Sequence, residues 1–257
     1  MPNIHVCIKQ VPDSAATIKV VSNNTIDEKV TWLLNPYDEN AVAAACDLRS
    51  QLPEWEVVAV TLGPKTVMET LRSALAMGAD RGIHLVSDHW FDQYQTAAFL
   101  AAVIKNDGDT GVIFTGKEAI DSEGGVLPFY LGVCMGLPAA SNVSALNLVD
   151  GTTVEVENEL GAGNFQVLQL PLPCVIGVGK ALSHPNYPTL PDIIKAKEKP
   201  IQTVDESDFD DPSVTAQVER VALRPLVQER KNEIINGSPK TAVATLIERL
   251  KSEAKVI

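Results

Sequence analysis

The chain has 257 residues, 45% of them hydrophobic and 21% charged, the composition of a globular protein rather than a disordered tail or a disulfide-stapled miniprotein. Its 21 Lys and Arg against 33 Asp and Glu give a net charge of −12 with no basic cluster, which excludes a non-specific binder of nucleic acid. The four cysteines, Cys7, Cys46, Cys134 and Cys174, are widely spaced among apolar neighbours without a C-x-x-C pair, so neither a disulfide nor a metal is implied.

Short apolar runs alternate with helical patterns from residue 3 to about 136, the signature of a mostly parallel sheet covered by helices. Residues 4–8 read as a buried first strand. Asn35-Pro36-Tyr37-Asp38 opens a helix, with Asn35 as N-cap, Pro36 at the first helical position and Asp38 where a capping-box acid sits. Residues 56–62 form the next strand, and Gly63-Pro64 starts a helix whose Val67, Leu71 and Leu75 share a face and which Gly78 ends. A strand at 81–86, a helix at 91–105 and a strand at 111–115 follow.

Beyond Leu137-Pro138 the pattern becomes strands and turns. Residues 143–148 and 153–157 flank Asp150-Gly151, a dipeptide suited to a tight hairpin, and strands at 165–170 and 174–178 extend the sheet. The acidic stretch 203–212 reads as a linker, and Ser238-Pro239 starts a helix with Val243, Leu246, Ile247 and Leu250 on one face. The expected fold is α/β: a mostly parallel, Rossmann-like twisted sheet with helices on both faces and added antiparallel strands. Residues 1–201 would form an adenine-nucleotide-binding domain, and residues 202–257 a linker and C-terminal arm.

In such folds ligands bind outside the carboxyl ends of the strands, where loops and helix N-termini offer free N–H groups. Three loops qualify: Lys9-Gln10-Val11-Pro12-Asp13, Asn35 to Asp38, and Gly116-Lys117-Glu118-Ala119-Ile120-Asp121-Ser122-Glu123-Gly124-Gly125. The third carries three glycines in ten residues and is the best phosphate cradle, although it matches no standard phosphate-loop pattern and Asp121 or Ser122 could equally cap a helix. His5, His84, His89 and His184 are scattered, no G-x-S-x-G or H-E-x-x-H occurs, and nucleotide binding without bond-making is the better reading. The first residues lack the features of a signal peptide and no apolar run reaches the roughly 20 residues of a membrane span, so a cytoplasmic location, or the mitochondrial matrix in a eukaryote, is expected.

Together these motifs resemble the beta subunit of the electron transfer flavoprotein family. The resemblance rests on Val6-Cys7-Ile8-Lys9-Gln10-Val11-Pro12-Asp13, on Asn35-Pro36-Tyr37-Asp38-Glu39, on Leu71-Arg72-Ser73-Ala74-Leu75-Ala76-Met77-Gly78-Ala79-Asp80-Arg81, on the run from Gly116 to Asp121, and on Tyr187-Pro188-Thr189-Leu190-Pro191-Asp192-Ile193-Ile194-Lys195-Ala196-Lys197. It covers about residues 3–201.

The resemblance implies an electron carrier rather than an enzyme, a heterodimer with an alpha subunit that mainly holds the redox FAD. Electrons would pass from flavin dehydrogenases of the acyl-CoA dehydrogenase type through FAD to a quinone oxidoreductase. This subunit would bind AMP, or a second FAD in electron-bifurcating members, against Cys7, Asn35, Pro36, Tyr37, Asp38, Leu62, Gly116, Lys117, Ala119, Ile120, Asp121, Ser122, Glu123, Gly124, Gly125 and Val126. Many contacts would be backbone N–H to phosphate. Tyr37 falls where the family leans an aromatic ring toward the flavin. Leu190 falls at the anchoring leucine of the loop that docks on dehydrogenases, with Tyr187, Pro191, Ile194 and Lys195 around it; read without the resemblance, Leu190 is a core residue under a loop.

Departures from the family pattern are specific. Bifurcating members carry Gly-Asp-Thr-Ala-Gln after the loop's aspartate, whereas Ser122-Glu123-Gly124-Gly125-Val126 follows Asp121 here, which favours AMP over a second FAD. Asn186 replaces an arginine in the docking loop, and Asn158 replaces the one beside Glu159, an acidic position the family places near its electron path. A stand-alone adenine-nucleotide-binding or hydrolysing protein of similar fold is the alternative from another class.

Overall fold

The structure, a computed structural model, describes residues 2–22, 25–27, 29–209, 214–225 and 232–257. The first strand, β1 (Asn3–Ile8), sends Ile4, Val6 and Ile8 into one apolar layer and Cys7 into the layer on the opposite face. That alternation within a fully buried strand is what a central sheet position covered on both sides requires. Two short pairs follow: β2 (Gln10–Pro12) lies antiparallel to β5 (Trp32–Leu34), and β3 (Val20–Ser22) to β4 (Thr25–Ile26).

The βα repeat then runs α1 (Pro36–Gln51), β6 (Glu56–Gly63), α2 (Met68–Met77), β7 (Arg81–Val86), α3 (Gln93–Asp107), β8 (Thr110–Gly116) and α4 (Leu127–Met135). Helices α1 and α2 cover one face, and α3 and α4 the other. Gly78 ends α2 with a φ of 135°, and Asp92 with Gln95 forms a capping box on α3 that fixes its start later than residue 91. Next come β9 (Ala139–Leu148), β10 (Thr153–Gly161), β11 (Asn164–Pro171), β12 (Cys174–Val178), α5 (Leu190–Ala196) and β13 (Ile201–Asp205). The nine strands of the main sheet are ordered β11-β10-β9-β12-β8-β1-β6-β7-β13, parallel from β9 to β13 and antiparallel where β10 and β11 are added. The expected α/β class is the class observed.

One expected element differs. The acidic stretch read as a linker begins with β13, which pairs with β7, and continues as a 3-10 turn over Glu206–Phe209; residues 210–212 lie outside the described residues. Val204 and Phe209 explain the difference, since both pack against the α3 layer and give the acidic segment an apolar side. The chain divides into two compact units, Met1–Leu223 and Arg224–Ile257. The second contains α6 (Pro239–Arg249), whose start Ser238 caps by accepting the Thr241 amide, as the sequence predicts. Its Val243, Leu246 and Ile247 are exposed.

Candidate functional site

In an open α/β sheet a crevice forms where neighbouring strands send their connections to opposite sides. Here the chain leaves β1 toward β6 and β7 on one side and returns to β8 on the other, so the crevice lies outside the carboxyl ends of β1 and β8. Lys9 follows the first of these ends, Gly116 closes the second, and α1 begins at Pro36 beside them.

Asn35 is at the N-cap position but does not cap its helix. Its side-chain amide donates to the Glu118 carbonyl at 2.9 Å, and its Oδ1 accepts the Ile120 amide at 3.1 Å. Asp38, expected as a capping-box acid, instead accepts the Lys9 amide on Oδ2 at 2.8 Å and the Gly116 amide on Oδ1 at 3.0 Å. The helix loses little by this. Pro36 has no N–H to satisfy, and the amides of Asp38 and Glu39 bond the Asn35 carbonyl. The loop amides gain far more, because a buried N–H without an acceptor is costly. The capping reading is therefore corrected: both residues fasten the loops after β1 and β8 to α1.

Both clamps are buried, and burial pushes the Asp38 carboxyl up to about 7 against the Asn35, Lys9 and Gly116 hydrogen bonds that favour the anion. Cys7 lies buried at the end of β1, where burial first and the Asp38 charge second push its thiol up, so it stays protonated and inert. Leu62 is half-buried at the end of β6.

The loop from Gly116 to Val126 folds on itself through the Ser122 and Glu123 amides, which bond the Ala119 carbonyl at 3.2 and 2.8 Å. Glu123 and Gly125 take left-handed backbone, with φ of 47° and 63°. Helix α4 starts only at Leu127, with Val126 at its N-cap, so neither Asp121 nor Ser122 caps it. The amides of Gly124, Gly125 and Val126 have no backbone acceptor among the described residues, which leaves a run of donors at the mouth of the crevice. A Cβ on Gly124 would lie 1.7 Å from Nε2 of Gln93, so a side chain there would displace the end of that glutamine.

Charge gathers at this mouth. The Lys9 ammonium lies 2.7 Å from both carboxylate oxygens of Asp121. The Tyr37 ring faces two more ammonium groups, Lys117 at 5.0 Å and Lys180 at 5.5 Å from its centroid. Lys180 escapes a reading of the sequence because it follows β12, remote in the chain from the residues it joins.

The segment from Tyr187 to Lys195 forms a separate surface. Tyr187 is 83% and Leu190 70% exposed, with Pro191, Ile194 and Lys195 also exposed, so Leu190 is not a core residue. Thr189 and Asp192 cap α5 reciprocally. Arg72 donates to the carbonyls of Ala196 and Lys199 at 2.7 and 2.6 Å, and the Lys199 ammonium returns to the carbonyls of Leu75 and Ala79, fixing α5 on α2.

The histidines take no part in the crevice. His5 bonds Asp107 at 2.9 Å within a buried network that Arg81 completes, His84 bonds the Gly63 carbonyl, and His184 is exposed. Glu159 is exposed near the end of β10. Among the described residues no group of three or more His, Cys, Asp or Glu could hold a metal ion, and no helix is long and apolar enough to cross a membrane.

Comparison with known proteins supplies the lineage. The family model for the Electron transfer flavoprotein domain matches residues 23–209. The chain is 34% identical over 258 residues, 99% of both chains, to the mitochondrial electron transfer flavoprotein subunit beta of Arabidopsis thaliana. It is 29% identical over 260 residues to the subunit beta of Bacillus subtilis, covering 99% of this chain and 100% of that one. It is also 34% identical over 210 residues, 80% of this chain and 79% of the other, to the Caffeyl-CoA reductase-Etf complex subunit CarD of Acetobacterium woodii. The chain belongs to the electron transfer flavoprotein beta-subunit family.

Proposed function

We propose that this chain, paired with an alpha subunit, accepts electrons from flavin dehydrogenases of the acyl-CoA dehydrogenase type and passes them to a quinone-linked acceptor. In this reading it holds AMP in the crevice between β1 and β8 and docks the electron donor through Leu190. Membership of the electron transfer flavoprotein beta-subunit family supports electron transfer as the class of activity.

The observation that carries the nucleotide reading is the double clamp. Asn35 and Asp38 fix the backbones at Lys9, Gly116, Glu118 and Ile120, and the amides of Gly124, Gly125 and Val126 stay available on the same loop. Backbone donors on a fixed loop suit a phosphate without needing a basic cluster, which fits a chain of net charge −12. Gly116 belongs to the same cradle, because a Cβ there would lie 2.4 Å from Oδ1 of Asp38. The absence of Thr and Gln after Asp121 supports AMP over a second FAD.

FAD, held mainly by the alpha subunit, supplies the electron-transfer chemistry when bound. What this chain contributes is placement. Tyr37 and its two lysines present an aromatic and cationic edge at the crevice mouth, and the exposed Leu190 offers a small apolar anchor flanked by polar residues, suited to a transient contact. The test is to denature the purified heterodimer and identify what it releases. One FAD and one AMP per heterodimer is the expected result; two FAD would make it a bifurcating subunit, and release of no adenine nucleotide beyond one FAD would overturn the crevice assignment.

A further inference from the structure

The Lys9 ammonium bonds both oxygens of Asp121 at 2.7 Å and so joins the loop after β1 to the loop after β8 across the crevice. This contact differs in kind from the clamps beside it. Asn35 and Asp38 are buried and bond backbone groups, whereas Lys9 and Asp121 meet as side chains that remain 48% and 25% exposed. An ion pair open to water adds little to stability and exchanges readily with a competing anion.

The root of Lys9, by contrast, is fixed. Its amide bonds Asp38 at 2.8 Å and its carbonyl accepts the Asn35 amide at 3.0 Å. A fixed backbone carrying a long, rotatable ammonium is the arrangement that lets lysine serve as a point charge for phosphate. The other two lysines at the crevice mouth face the Tyr37 ring, and Lys117 also lies 3.4 Å from Glu118. Lys9 thus reaches from the loop after β1 to the loop that carries the donor amides of Gly124, Gly125 and Val126, with no aromatic ring among the described residues to hold its ammonium.

We propose that Lys9 is the side-chain ligand for the phosphate of the bound adenine nucleotide and that Asp121 is its internal competitor. The proposal rests on the nucleotide reading above. A phosphate carries more charge than the carboxylate and is met by the loop amides as well, so it takes over the hydrogen bonds that Lys9 gives Asp121. Asp121 then stands as a negative charge near the phosphate. Its presence tempers affinity, which explains how an acidic residue sits usefully in a phosphate loop.

The test uses the heterodimer freed of nucleotide and titrated with AMP, FAD and adenosine, comparing the parent with Lys9→Gln, Lys9→Arg and Asp121→Asn. Lys9→Gln weakens the phosphate-bearing nucleotide that the parent binds by about tenfold or more, while Lys9→Arg stays within about threefold of the parent. Asp121→Asn tightens the same nucleotide by about threefold. Adenosine binds all four proteins alike, which reports an intact fold and isolates the phosphate. Which of AMP or FAD follows this pattern identifies the source of the phosphate. Equal affinity of Lys9→Gln and parent overturns the proposal, as does a parallel weakening by Lys9→Gln and Asp121→Asn, the mark of a purely structural strut. A parent that binds neither AMP nor a second FAD beyond the one held by the alpha subunit overturns the nucleotide reading itself, and this inference falls with it.

Discussion

Oδ1 of Asp38 accepts the Gly116 amide at 3.0 Å, and a Cβ placed on Gly116 would stand 2.4 Å from that same oxygen. The hydrogen bond and the missing side chain are one fact, since the carboxylate can approach the amide only where no side chain intervenes.

Gly116→Ala therefore forces apart groups that have little room to move. Beyond Asp38, the added methyl would meet Cβ and the carbonyl carbon of Tyr37 at 2.7 and 3.0 Å, one of them backbone. A loss of about 1–3 kcal/mol is expected, typical of overpacking in a well-filled interior. Denaturant unfolding of the variant heterodimer measures it, and the same preparation should retain less adenine nucleotide.

Asp38 makes stability depend on pH near neutrality. Its folded-state pKa is raised from 3.8 to about 7, chiefly by burial, so the folded chain holds a proton that the unfolded chain releases. The stabilising contribution is fully present below the unfolded value of 3.8 and is lost as pH rises through about 7. Its slope is at most about 1.4 kcal/mol per pH unit. Asp38→Asn removes this slope, and its amide faces the Lys9 N–H donor to donor, so the variant should be less stable at pH 5 with a flatter profile from 5 to 8. Unfolding midpoints across that range, parent minus variant, give the comparison.

Asp107 behaves in the opposite sense. Burial would raise its carboxyl, but hydrogen bonds from His5 and a bidentate pair with Arg81 at 2.8 Å hold it down to about 2. With the folded pKa depressed, its contribution is present above the unfolded value of 3.8 and disappears as pH falls toward 2. Asp107→Asn should cost about 2 kcal/mol at pH 7 and much less near pH 2. Acid unfolding followed by circular dichroism would reveal the converging curves.

Leu190→Ala tests docking without touching the fold. The side chain is 70% exposed, so thermal stability should change by no more than about 0.5 kcal/mol. Electron transfer from the partner dehydrogenase should slow by about tenfold, as for a truncated interface anchor, with FAD content unchanged. Rates equal to the parent's would remove Leu190 from the docking surface.

Much of the fold is legible in the chain because its signals are local. The buried β1 run, Gly78 after α2 and Asp150-Gly151 between β9 and β10 each carry their meaning within a few residues. The site is legible only as a set of loops. Asn35 and Asp38 obey the spacing of a capped helix, and nothing nearby shows that their side chains turn away from it. Asp38 meets Gly116 across 78 residues, a contact created solely by β8 lying beside β1. The same applies to the run from Leu71 to Arg81, the stretch that most strongly carries the family resemblance. Leu71, Ala74 and Leu75 fill the core, Arg72 holds the α5 segment, Asp80 bonds the Val57 amide and Arg81 grips Glu56 and Asp107. What is most recognisable in this sequence is scaffold, and the crevice is written in less distinctive residues.

The chain leaves the sheet at β12 and returns at β13, with four strands lying between those two positions. The segment that bears Leu190 is therefore a span anchored at both ends and bolted to α2 at its far end by Arg72 and Lys199. A surface held in this way has surrendered most of its conformational freedom during folding. A protein alighting on it has little further ordering entropy to overcome, so brief, repeated encounters can be productive without tight binding.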